Sequence, residues 1–186
     1  MPFQVPLQPD QKTLLNLIVV TPRGRRSIVY TATLLHRSYR DAVPYTESRP
    51  GLTFTLFDGN FTSTQDIDLG TQVTTGIANS FDLQQFGRQV NYGVTFDGYL
   101  RVPADGFYKF AVESDDGTVL WIDGEEVVNN DGNHPGQGVT GHVPLRQGFH
   151  KMRLKYFQGE GGASLRVGWA LSGQELKPLD GSALYH

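Results

Sequence analysis

Aspartate-glycine pairs punctuate this chain at strand-length intervals: Asp58-Gly59, Asp97-Gly98, Asp105-Gly106, Asp116-Gly117, Asp123-Gly124 and Asp131-Gly132. Aspartate bonds to its own backbone two residues on, and glycine supplies the positive φ that tight hairpins need. Around the pairs lie short runs that read as strands: Tyr92 to Phe96, Gly98 to Val102, Phe107 to Glu113, Thr118 to Ile122 and Glu125 to Asn129. Helical periodicity is almost absent. Many short strands with turn signals at roughly 8–12-residue spacing point to an all-β fold, an antiparallel sandwich or barrel.

Alternation supports this locally. In Leu52, Phe54 and Leu56 against Thr53 and Thr55, one face is apolar and the other polar. Met152, Leu154 and Tyr156 alternate with Lys151, Arg153 and Lys155, and Leu165, Val167 and Trp169 form a further apolar face, so each strand predicts one core side and one wet side. Residues 61–86 are polar and irregular, which predicts long loops with a short helical turn near Asp82 to Phe86. Towards the start, Leu14 to Val20 and Ser27 to Leu35 predict a hairpin joined by the turn-forming Thr21-Pro22-Arg23-Gly24-Arg25-Arg26. A lone hairpin is marginal in water and needs something to dock on. His36 to Pro50, with Asp41, Pro44, Glu47 and Pro50, reads as a linker. The expected organisation is therefore 1–46 hairpin and linker, 47–181 sandwich and 182–186 tail.

Composition removes several function classes. With no cysteine among 186 residues, a disulfide framework, a thiol nucleophile and a cysteine zinc site are excluded. A net charge of −3 leaves no electrostatic footprint for nucleic acid, and the basic run at Arg23 to Arg26 is broken by Gly24. The longest apolar stretch, Leu17 to Val20, is too short to cross a bilayer, so neither nucleic acid nor membrane is expected as a partner. Met1-Pro2-Phe3-Gln4 shows neither a charged n-region nor an apolar h-region, and a fragment of a longer exported protein would look the same.

The residues that carry chemistry are concentrated at Glu113-Ser114-Asp115-Asp116-Gly117, between two predicted strands. Successive side chains of an extended chain point to opposite faces, so Asp115 and Asp116 would not normally grip a common object, whereas a cis peptide between them would swing both carboxylates to one side. Two readings stand at this point. One is a plain Asp-Gly turn with a solvated extra acid. The other is a site for a hard cation such as calcium, which takes carboxylate and carbonyl oxygens. The loop Phe157-Gln158-Gly159-Glu160-Gly161-Gly162 could supply further oxygens, because its glycines free the backbone to turn carbonyls inward.

Four ordered motifs carry a family resemblance: Val102-Pro103-Ala104-Asp105-Gly106-Phe107-Tyr108-Lys109-Phe110, Ser114-Asp115-Asp116-Gly117, Leu120-Trp121-Ile122-Asp123-Gly124, and Gly148-Phe149-His150 through Tyr156-Phe157-Gln158-Gly159. Together they resemble the protective-antigen-type β-sandwich, the PA-fourteen module, over roughly Gly51 to Leu179. That family includes toxins, adhesins and modules attached to glycoside hydrolases. In its lectin members a cis-linked Asp-Asp pair binds calcium that sugar hydroxyls complete. The resemblance implies calcium at Asp115 and Asp116, with Gln158 through its amide oxygen, Gly159 through its carbonyl and Glu160 through its carboxylate. Family members usually carry the shorter aspartate where Glu160 stands. A second resemblance covers Pro2 to Leu7, Thr13-Leu14 and Val20 to Ser27. These look like the latter half of the immunoglobulin-like domain that follows the catalytic barrel in bacterial β-N-acetylhexosaminidases. It implies a C-terminal fragment of a larger extracytoplasmic glycosidase.

The leading expectation is a non-catalytic carbohydrate-binding module, with three acidic groups converging on one ion. Sugar contacts are expected from Asp115, Asp116, Trp121, Asn130, Asn133, His134 and Phe157. Against this, Asn-rich loops usually satisfy their own turns, and a Trp such as Trp121 is more often core or sheet surface than a sugar platform. The alternative is a structural module that packs on the catalytic domain of its parent or mediates dimerisation, which the hairpin's exposed edges invite. Catalysis within this chain is not expected. No histidine pair has metal spacing and no Gly-x-Ser-x-Gly or phosphate loop occurs, although Asp115, Asp116 and Glu160 offer carboxylates of the kind glycosidases use.

Overall fold

A computed structural model describes residues 12–20, 27–35, 37–45 and 49–186. The hairpin tip at 21–26, the motif at 2–7 and the expected boundary between 46 and 47 lie outside the described residues. Strands β1 (Lys12–Val20) and β2 (Ser27–Leu35) pair antiparallel from Lys12 opposite Leu35 to Val20 opposite Ser27. This hairpin is one compact unit, and residues 40–186 are another.

The second unit is a sandwich of two antiparallel sheets. One holds β3 (Leu52–Asp58), β4 (Thr71–Ala78), β5 (Tyr92–Val102), β7 (Thr118–Ile122), β8 (Glu125–Asn130), β10 (Gly148–Gln158) and the short β13 (Leu184–Tyr185), in the order β4-β3-β5-β10-β7-β8 with β13 also on β5. The other holds β6 (Gly106–Asp115), β9 (Gln137–Leu145), β11 (Ser164–Leu171) and β12 (Lys177–Pro178), in the order β12-β11-β6-β9. Alternation fills the space between them. Val94, Phe96, Leu120, Ile122, Met152 and Leu154 of the larger sheet share one core with Tyr108, Phe110, Val112, Val143, Leu145 and Val167 of the smaller. Each such side chain stabilises the fold by about 1.5–3 kcal/mol on burial. The odd-numbered residues of β10 consequently face outward.

Turn chemistry works as expected at Asp123-Gly124, where φ values of 51° and 79° close the two-residue β7-β8 hairpin. Asp123 also organises what lies beside it. Its carboxylate accepts Lys151 N–H at 2.8 Å and holds His150 Nδ1 at 2.6 Å, while His150 Nε2 faces the Arg146 carbonyl at 2.8 Å.

The structure departs from the sequence reading in four places. Asp97-Gly98 is not a turn, because β5 runs unbroken through it. Gly98 is there for space: a Cβ would strike the Tyr185 carbonyl and come within 2.7 Å of Leu52. That contact exists because residues 182–186, expected as a tail, contain β13, whose Leu184 is fully buried opposite Leu100. Residues 61–86 contain a 3-10 helix at Thr64–Leu69 and the edge strand β4 as well as the expected helical turn, here a 3-10 turn at Leu83–Phe86. Finally, part of the expected linker runs along the sandwich, with Arg40 N–H donating to the Pro144 carbonyl at 3.0 Å and Val43 N–H to the Phe149 carbonyl at 2.8 Å.

Candidate functional site

Ser114, Asp116, Thr118, Asn130 and Gln158 are all buried, and their chain positions bring them to one end of the sandwich. Polar groups are costly to bury unless bonded, so such a concentration has to be accounted for atom by atom. Its centre is the turn between β6 and β7, where the Asp115-Asp116 peptide is cis.

Asp116 is 6% exposed, and both of its carboxylate oxygens are engaged. Oδ1 accepts His134 N–H at 3.0 Å and Oδ2 accepts Gly159 N–H at 2.9 Å. Asp115 differs: it is half-buried, and its carboxylate accepts no hydrogen bond from the described residues. Both carboxylates face the glycine loop. A Cβ on Gly159 would stand 3.3 Å from Asp116 Oδ2, and one on Gly162 would stand 3.8 Å from Asp115 Oδ2. The two acids thus border a common space that glycines leave open.

Gln158 lies under the turn as a strut. Its amide oxygen accepts Asp116 N–H at 3.2 Å and lies 2.8 Å from the Tyr156 hydroxyl. Tyr156 Oη also lies 2.6 Å from the Asp115 carbonyl. Burial first, then Tyr92 and the carboxylates of Asp116 and Asp115, hold the Tyr156 phenol above its ordinary value, so it remains a donor. The Gly159 carbonyl accepts Asn91 N–H at 2.9 Å and keeps one lone pair. Glu160 does not join the pair of aspartates. Gln158 Nε2 donates to the Glu160 carbonyl at 3.1 Å, which folds the segment back and leaves the Glu160 side chain exposed. Among the described residues no three His, Cys, Asp or Glu side chains gather to hold a metal ion, so the expected three-acid convergence is reduced to two acids.

The β8-β9 loop closes over Asp116 from the other side. The His134 ring is pinned with Nε2 2.9 Å from the Asn130 carbonyl and Nδ1 2.9 Å from the Pro135 carbonyl, and its backbone N–H caps Asp116. Asn130 is 3% exposed and donates from Nδ2 to Ser114 Oγ at 2.9 Å, while its Oδ1 is buried with no partner among the described residues. Asn133 lies exposed in the same loop.

Two residues expected to face sugar do not belong to this site. Phe157 is fully buried in a small cluster with Phe61 and Ile67 and abuts Gly117, where a Cβ would strike its ring. Trp121 sits on the outward face of β7, opposite Arg153, because the alternation that buries Leu120 and Ile122 turns it out. The sequence assigned no role to Tyr156 or Ser114, and it placed Asp131 in the site loop without its bonds to the 3-10 helix. Asp131 Oδ1 accepts Thr64 N–H and Oδ2 accepts the Ser63 hydroxyl, both at 2.8 Å, which ties the 3-10 helix to the site loop. The alternation signal placed Tyr156 in the core but carried no information about its hydroxyl.

Comparison with known proteins matches the geometry to a family. Residues 48–181 match the PA14 domain model. The PA14 domain of the MpAFP antifreeze protein superposes with a TM-score of 0.64 at 20% identity, covering 78% of this chain and 95% of that one. A PA14 sugar-binding domain from an RTX adhesin gives 0.62 at 22% identity, covering 74% and 98%. A β-hexosaminidase of Porphyromonas gingivalis is 24% identical over 99% of this chain, which spans 25% of that enzyme's length. The sandwich with its paired aspartates at one end, together with the match over 48–181, shows that this chain belongs to the PA14 domain family.

Proposed function

We propose that this chain is a non-catalytic carbohydrate-binding module that holds calcium at the β6-β7 turn. The carrying observation is the division of labour between the two aspartates. Asp116 is fixed by backbone N–H groups, and Asp115 beside it presents a carboxylate with no partner among the described residues across space kept open by Gly159 and Gly162. The donor set is all oxygen, which suits calcium. Asp115 and Asp116 would hold the ion through their carboxylates, with the free lone pair of the Gly159 carbonyl and the orphaned Asn130 Oδ1 as further donors. Gln158 supports the turn. Since calcium takes roughly 6–8 oxygens, two acids and a few neutral donors leave positions for vicinal sugar hydroxyls, and the exposed Glu160 and Asn133 border the opening.

The similarity to the hexosaminidase over 99% of this chain supports a parent enzyme of the β-N-acetylhexosaminidase type, and the RTX adhesin domain supports sugar as ligand. An immunoglobulin-like segment before the sandwich, extracytoplasmic location, and contact with the parent's catalytic domain or with a second copy belong to the same reading. Calorimetric titration of the chelated protein with calcium, then a glycan array with calcium or EDTA, tests the proposal. Binding of one calcium per chain and calcium-dependent retention of a glycan are the expected results. No heat with calcium and no chelator effect on melting would leave a structural module as the better account.

A further inference from the structure

The outward face of the larger sheet carries a groove that the aspartate site does not use. It has a volume of about 530 Å³ and runs over β5, β10 and β7 beneath the 3-10 helix at Thr64–Leu69. From this groove we infer a second, calcium-independent binding site for a short acidic oligosaccharide, one carrying carboxylate or sulfate groups.

Three independent features support the inference. Trp121 and Tyr99 are half-buried and line the groove from β7 and β5, on either side of β10. Their register partners on β10 are Arg153 and Lys151, two residues apart. Strand spacing and rise then place their Cα atoms about 12 Å apart, the span of a short chain of sugar rings rather than one ring. Tyr99 is held by stacking on Tyr45 with ring centroids 4.0 Å apart, and the Trp121 indole N–H is left without a partner among the described residues. An aromatic body with a free polar tip at a half-wet surface suits the apolar face and hydroxyl rim of a sugar.

The second feature is charge. Among the described residues the charged ones lining the groove are Lys151, Arg153, Lys155 and Asp97, on a chain whose net charge is −3. Arg153 pairs with Asp97 at 2.5 Å, and Lys155 reaches Asp68 of the 3-10 helix at 2.7 Å. Lys151, between Trp121 and Tyr99 on the neighbouring strands, has no ion pair among the described residues. A concave surface with an excess of one sign focuses the opposite charge.

The third feature is an orphan. Thr64 is 1% exposed, lines the groove, and its hydroxyl is buried with no partner among the described residues. A buried hydroxyl without a partner calls for a ligand or water.

The test is calorimetric titration of the whole chain, in EDTA and at low salt, with a heparin-derived tetrasaccharide, trigalacturonate and neutral chitotriose. Saturable binding of at least one acidic probe is expected, with quenching of tryptophan fluorescence, weakening as salt rises and affinity at least ten times that for chitotriose. Trp121→Ala and Lys151→Glu, both at surface positions, should each weaken it at least tenfold while near-UV circular dichroism stays native. Absence of binding by both acidic probes, equal affinity for chitotriose, or undiminished affinity in either variant overturns the inference. Because the titration is run in EDTA, its failure leaves the calcium site untouched, and failure of the calcium site leaves this groove untouched.

Discussion

Replacing Asp115 and Asp116 singly with asparagine separates a carboxylate that serves the fold from one that serves a ligand. In Asp116→Asn, the side-chain oxygen keeps one of the two backbone N–H donors, from His134 at 3.0 Å or Gly159 at 2.9 Å. The new NH2 group then faces the other donor. One charge-assisted hydrogen bond, worth about 1.5–3 kcal/mol, is lost, and a buried N–H is left unpaired. At a site 6% exposed the expected loss is about 2–4 kcal/mol, which lowers Tm by about 5–15 °C for a domain of this size. Asp115→Asn removes no hydrogen bond from the described residues and should fall within about 0.5 kcal/mol of the parent in EDTA. Calcium at 100 times its dissociation constant should add about 2.7 kcal/mol to the parent and little to either variant. Urea denaturation followed by near-UV circular dichroism reads the parent and both variants in EDTA and in calcium. Equal losses for the two variants in EDTA would refute the division of labour between the aspartates.

Other expectations concern the scaffold. Burial pulls the His150 pKa down, but the Asp123 carboxylate and the Arg146 carbonyl outweigh it and Arg40 opposes only weakly, so the folded value lies above the unfolded one near 6.5. Its stabilisation is therefore complete below about pH 6.5 and is lost as pH rises through the folded value; His150→Gln should flatten that slope in urea melts at pH 6 and pH 8.5. Gly141→Ala drives a Cβ into the Val127 carbonyl and should cost about 3 kcal/mol, whereas Gly136→Ala, with nothing within 4 Å, should stay within about 0.5 kcal/mol by thermal melting. Deleting residues 182–186 removes β13 and its buried Leu184 and should destabilise by about 2–4 kcal/mol; an unchanged urea midpoint would show that this strand contributes nothing.

The sandwich itself was legible in the chain because its determinants are local. Met152, Leu154 and Tyr156 point inward by strand alternation alone, and Asp123-Gly124 closes a hairpin by its own dihedrals. Strands β4 and β9 were not legible. β4 is an exposed edge whose Val73 and Ile77 bury no continuous face, and β9 carries Gly138, Gly141 and Pro144, which suggest a loop until Val127 is seen pressing on Gly141.

At the site, the amino-acid order determined that two acids meet at a turn and that a glycine loop follows β10, since both are statements about neighbours in sequence. The roles were decided in three dimensions. Gln158 turns its amide oxygen to the Asp116 N–H, Phe157 fills a satellite core, and Trp121 is turned to the opposite surface from the core. A donor's remaining lone pairs and a side chain's direction depend on which strands pair and in what register, and pairing between residues dozens of positions apart is set by the packed fold.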